Sequence, residues 1–103
     1  MVSEIALTPR LATKLAELFA TDEQQIAHQL LLSECGPRIP GGFADPMWIE
    51  RVRAAALKIS SGSLDKLAEA TALGQIDWRD LVMAADFSSL NAHEVWLDDP
   101  ISE

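Results

Sequence analysis

The sequence predicts an all-α protein: a compact bundle of five or six short helices with no β-sheet. Three observations carry that prediction. Apolar residues recur at the helical period along most of the chain. Polar capping residues stand where the periodic runs begin, placed to accept the free N–H groups of a first turn. Alternating, β-branched runs of the kind a strand needs are not found. The 103 residues make one domain (1–103). With 49% hydrophobic and 23% charged residues, the composition is globular rather than disordered.

Taken in order, Thr8-Pro9 starts the first helix, since Thr can cap and Pro suits a first turn that does not need its N–H. Leu11, Ala12, Leu15, Leu18 and Phe19 then share one face up to about Ala20. Thr21 and Gln24 have the spacing of a capping box, so the helix is expected to restart there. The second helix should bury Ile26, Ala27, Leu30, Leu31 and Cys35 and stop at Gly36-Pro37. A single helix from Pro9 to Cys35 is the competing reading, because no Gly or Pro interrupts it. Residues 36–42, GPRIPGG, hold five Gly or Pro in seven and form an irregular loop.

Asp45-Pro46 opens a third helix, about Pro46 to Ser60. Trp48, Ile49, Val52, Ala55, Ala56 and Ile59 form its main stripe, and Leu57 lies opposite. Apolar residues on two sides predict a central helix. Gly62 ends it. Ser63 caps the stripe Leu64, Leu67, Ala68, Thr71, which Gly74 should close as a left-handed cap. Asp77 caps the matching stripe Trp78, Leu81, Val82, Ala85, with Trp78 expected in the core. Asn91 and Glu94 have capping-box spacing before Val95 and Trp96, and an acidic tail begins at about Asp98. The 14-residue offset between stripes invites a repeat reading, but helical repeats run to about 33–47 residues. Successive capped helices of similar length explain it better.

The chain carries 16 acidic against 8 basic residues, net −8. That disfavours nucleic acid and anionic membranes as partners, since both need a positive surface. The charge is uneven: residues 37–62 hold 4 basic and 2 acidic side chains, whereas residues 63–103 hold 2 and 9. The acidic C-terminal half suits a basic partner or simple solubility. One cysteine excludes an internal disulfide. There is no basic start followed by an apolar run, and no stretch of about 20 apolar residues. A cytoplasmic location is the expectation.

No constellation of residues predicts catalysis, a cofactor or a metal. His28 and Cys35 are seven apart, about 10.5 Å along a helix, too far for a shared zinc or a dyad. Asp77 with Asp80 is explained by capping. A helix-turn-helix reading of residues 63–85 fails because the second helix offers one Arg against three Asp. What remains is a candidate interaction or ligand surface: Arg38 in the loop, Arg51 and Lys58 two turns apart on one flank of the third helix, Trp48 as an apolar wall, and Trp96 beside the acidic tail.

The block from Arg51 to Trp96, with RVRAAALKISSGSLDKLAEA and IDWRDLVMAADF, resembles small uncharacterised bacterial proteins with an Asp-Trp-Arg-Asp-Leu segment. The resemblance implies a small soluble bacterial protein and carries over no activity and no site residue. The expected function is therefore a non-enzymatic protein-interaction or regulatory module, binding a protein partner or itself. The alternative is a binder of a small apolar or anionic ligand between helices.

Overall fold

A computed structural model describes residues 7–35, 46–87 and 92–98. Six helices account for most of them: α1 (Pro9–Leu18), α2 (Thr21–Glu34), α3 (Pro46–Ser60), α4 (Leu64–Ile76), α5 (Trp78–Ala84) and α6 (Ala92–Asp98). There is no strand among the described residues. The 36–42 loop with Arg38, and Leu90 and Asn91 with its expected capping role, lie outside them.

α3 is the centre of the bundle and packs on α1, α4, α5 and α6. Its residues Ile49, Val52, Ala54, Ala55, Ala56 and Leu57 are all buried. The alanines matter because a helix enclosed on several sides must let neighbouring backbones come close, about 8–10 Å between axes. Leu57, alone opposite the main stripe, points into a second packed face and is fully buried.

The chain between Pro9 and Cys35 is two helices. Phe19 and Ala20 are both extended (ψ 145° and 155°), which breaks the helix without Gly or Pro. The expected capping box is not what holds this break. Thr21 is the first residue of α2, and its N-cap Ala20 has no side-chain acceptor. Gln24 instead reaches back, its Nε2 donating to Phe19 O at 3.1 Å, so it satisfies the open carbonyl end of α1. Ile26, expected inside, is 53% exposed, whereas Ala27 and Leu31 are buried. The buried stripe of α2 is therefore narrower than the sequence suggests.

Thr8, Ser63 and Asp77 cap α1, α4 and α5 as expected: their side-chain oxygens accept from Leu11 N, Lys66 N and Arg79 N. Gly74 does not close α4. It lies buried inside the helix, which runs on to Ile76. The closing residue is Asp77, whose N–H donates to Leu73 O at 2.8 Å while its side chain opens α5. One residue thus ends one helix and begins the next. Gly62, by contrast, is needed for its conformation (φ +87°), and a Cβ there would lie 2.5 Å from Leu18 O.

α5 ends in a Schellman motif. Phe87 N–H donates to Val82 O and Asp86 N–H to Met83 O, both at 3.0 Å, with Asp86 left-handed at φ 64°. Glycine is the residue that avoids strain there. Asp86→Gly should therefore raise the unfolding free energy by about 0.5–1 kcal/mol in a urea titration, and Asp86→Ala should lower it. An Asp86→Gly protein less stable than the parent would contradict this geometry.

Candidate functional site

The basic flank of α3 is turned to structural use. Arg51 donates from Nε and Nη2 to Phe87 O at 3.2 and 2.6 Å, and Lys58 Nζ donates to Ala85 O at 2.8 Å. Both cations therefore cover the carbonyl end of α5, where the helix dipole favours positive charge. Arg53, on another side of α3, is buried and donates from Nε to Cys35 O at 2.8 Å, which serves the end of α2 in the same way. Three of the four basic residues in this positive segment, Arg51, Arg53 and Lys58, thus serve helix ends.

Trp48, expected as an apolar wall, is only 7% exposed. Trp78, expected in the core, is the half-buried partner that covers it, edge-on with ring centroids 5.3 Å apart. The two tryptophans share one site, and the outer one keeps a face toward Arg79, 5.6 Å from its centroid. Trp96 is half-buried too. It leans on Phe87 at 6.0 Å, and Lys14 Nζ sits 5.0 Å over its ring. Lys14 itself is buried, its stem covered on the apolar side of α1 and its ammonium 3.7 Å from Glu17. The structure does not gather the described members of the predicted site: Arg51 and Lys58 serve α5, Trp48 packs under Trp78, and Trp96 belongs to the α6 contact.

A charged cluster that the sequence reading missed joins α1, α3 and α6. Glu50, on α3, receives hydrogen bonds from Thr8 Oγ1 and from Arg10 Nε and Nη2, the last two at 3.0 and 2.6 Å. Arg10 also lies 3.7 Å from Asp98 on α6. His93 on α6 is fully buried, with Nε2 3.3 Å from Glu50 Oε1, and neither ring nitrogen makes a hydrogen bond among the described residues. Its ring meets Phe87 at 6.4 Å. Thr8, Arg10, Glu50 and His93 are separated by up to 85 positions, so no local spacing could reveal them.

Burial opposes ionisation of Glu50, but the hydrogen bonds from Arg10 and Thr8 outweigh it and hold the carboxyl below its usual range. The same bond to Glu50 holds the Arg10 guanidinium proton more tightly than usual. Burial lowers the basicity of His93 more than the nearby Glu50 and Glu94 carboxylates raise it. Cys35 is buried at the end of α2, and burial pushes its thiol up to about 12, against the pull of Arg53. It is therefore a poor nucleophile.

A histidine whose folded pKa is lowered stabilises the fold fully above its unfolded value, about 6.5, and that share is lost as pH falls below it. The lowered Glu50 acts in the same direction further down, present above about 4.3 and lost as pH falls through the folded value. Stability should drop on acidification from pH 7 to 5. His93→Leu, which removes the titrating ring at similar volume, should flatten that slope in urea titrations at several pH values. An unchanged slope would acquit His93.

Thr8, Arg10 and Glu50 of this cluster line a shallow depression of about 430 Å³ with Pro9 and Met47. Glu50 is already engaged there by two partners and is ionised well below neutrality, which makes it a weak general base. No group of three or more His, Cys, Asp or Glu among the described residues could hold a metal. No described helix is long and apolar enough to cross a membrane. Of the exposed large apolar residues, Met47 borders this depression, and Ile26, Ile76, Met83 and Val95 lie elsewhere, with Ile76 84% exposed. No protein-family model, curated protein or solved structure matches the chain.

Proposed function

We propose that this chain is a non-enzymatic, cytoplasmic helical module that acts by binding a partner protein. The observation that carries the reading is the exposure of large apolar side chains on a fold whose α3 cations and Glu50 are engaged internally. Ile76, at 84% exposed, ends α4 in solvent beside a depression of about 480 Å³ between α2 and α4. Meanwhile Arg51, Arg53, Lys58 and Glu50 are bound to the protein's own carbonyls and side chains. The small-ligand alternative drew on Arg38, Arg51, Lys58 and Trp48; Arg51, Lys58 and Trp48 are engaged in packing and capping, and Arg38 lies outside the described residues.

Site-specific photo-crosslinking tests this. A photoreactive residue placed singly at Met47, Ile76, Met83 or Val95 should give a reproducible, identifiable adduct from at least one position in cells. A chain that stays monomeric and gives no reproducible adduct from any of the four sites would count against the module reading.

A further inference from the structure

We propose that the groove between α2 and α4 takes a basic amphipathic helix from a partner protein, its apolar side chains seated on Leu30, Ala72 and Ile76 and its Lys or Arg residues over Asp65 and Glu69. This inference rests on the module reading and names its surface. The groove is lined by Leu30 from α2 and by Ala68, Thr71, Ala72, Gln75 and Ile76 from α4. Its floor is closed, since Thr71 is buried and its hydroxyl donates to Ala68 O at 2.9 Å. Ile26 stands one turn before Leu30 on the same face of α2 and is half exposed.

Shape argues for a helix as occupant. Ala68 and Ala72 are small, exposed and four residues apart, so a second backbone can approach α4 closely between Leu30 and Ile76. From Ala68 to Ile76 the groove runs about 12 Å, two turns of helix. That length matches apolar anchors at i, i+3 or i+4, and i+7, the pattern of helix-in-groove recognition. It is too short for a globular face, which covers about 800 Å² on each partner.

Charge argues for a basic one. Asp65 lies three and seven residues before Ala68 and Ala72, and Glu69 lies three and seven before Ala72 and Ile76, so both exposed carboxylates share the row of the groove. On the opposite wall Asp22 and Glu23 fill the first turn of α2, four and three residues before Ile26. No Lys or Arg stands on α2, and the single one on α4, Lys66, borders a separate depression with Glu69, Ala70 and Leu73. A second copy of this chain would bring the same carboxylates face to face in a two-fold contact, on top of a net charge of −8 per copy. A partner carrying Lys and Arg beside its apolar stripe meets no such repulsion.

The probe is a fluorescein-labelled Leu/Lys amphipathic helix of about two to four turns, with a Leu/Glu peptide of the same pattern and a Lys/Ser peptide of equal charge as comparators, titrated with the full chain. Fluorescence anisotropy should show saturable binding of the Leu/Lys helix alone, weakened about tenfold by Ile76→Ser and left unchanged by Met83→Ser. Both substitutions are at exposed positions, and circular dichroism of each variant checks that the fold is kept. Equal weakening by the two variants, equal binding of the Lys/Ser peptide, or no binding up to about 1 mM would overturn the proposal. So would a concentration-dependent dimer in sedimentation that Ile76→Ser abolishes. The crosslinking sites separate the two readings. An adduct from Met47, Met83 or Val95 but not from Ile76 keeps the module and discards the groove, whereas no adduct from any site removes both.

Discussion

Replacing Glu50 with alanine should destabilise the protein by about 2–4 kcal/mol in a urea titration near neutral pH. Breaking a fully buried pair by removing one partner costs about 3–5 kcal/mol, because the other charge is left without compensation. Here Arg10 is 34% exposed along its side chain and can recover some hydration, which lowers the figure. Thr8 and His93 cannot do so to the same degree, since Thr8 is half-buried and His93 fully buried. Glu50→Gln, which keeps the volume and an acceptor for Thr8, should cost less than Glu50→Ala. A double-mutant cycle between Arg10→Ala and Glu50→Ala should show coupling of about 0.5–3 kcal/mol. Additive losses would mean that the ion pair contributes nothing and that Glu50 matters only as packing.

Leu57→Ala should cost about 2–5 kcal/mol, the range for removing a fully buried leucine whose surroundings cannot collapse. Leu81→Ala belongs in the same range, being fully buried on α5. Collapse is hindered at Leu57 because it sits on a central helix held on several sides, with alanines at 54, 55 and 56 that have no volume to give. Trp78→Ala should fall below both, since Trp78 covers Trp48 from a half-exposed position rather than filling the interior. If Trp78→Ala proved the most damaging of the three, the tryptophan pair rather than α3 would be the energetic centre of the bundle.

The sequence was read well wherever the cause was local. The side-chain caps Thr8, Ser63 and Asp77 and the helix-starting Pro46 act within one turn, so they locate α1, α3, α4 and α5 from a few residues each. The two-sided pattern of α3 was equally legible, because a helix enclosed on several sides has apolar residues around most of its circumference. Gly74 and the Thr21/Gln24 pair misled because their signals have two uses. A glycine near a helix end serves as a cap or as a small packed residue, and a glutamine near a helix start serves its own helix or the preceding one. Only the neighbours decide between them.

The candidate sites divide in the same way. Arg51, Lys58 and Trp48 were sound choices of residue type, since cations on a helix flank and an aromatic beside them suit a ligand. Nothing within α3 reveals that the Ala85 and Phe87 carbonyls, at and just past the end of α5, stand 27 and 36 positions further along. The Glu50 cluster was invisible for the same reason, with partners from Thr8 to His93 brought together only by docking α1 and α6 on α3. What the sequence determined by itself is the all-α class, the main helix starts and the central place of α3, because period and capping are properties of a few neighbouring residues. Tertiary structure alone decided which polar groups are consumed internally and which apolar ones are left outside. Burial and pairing across long separations depend on where each helix comes to rest against the others.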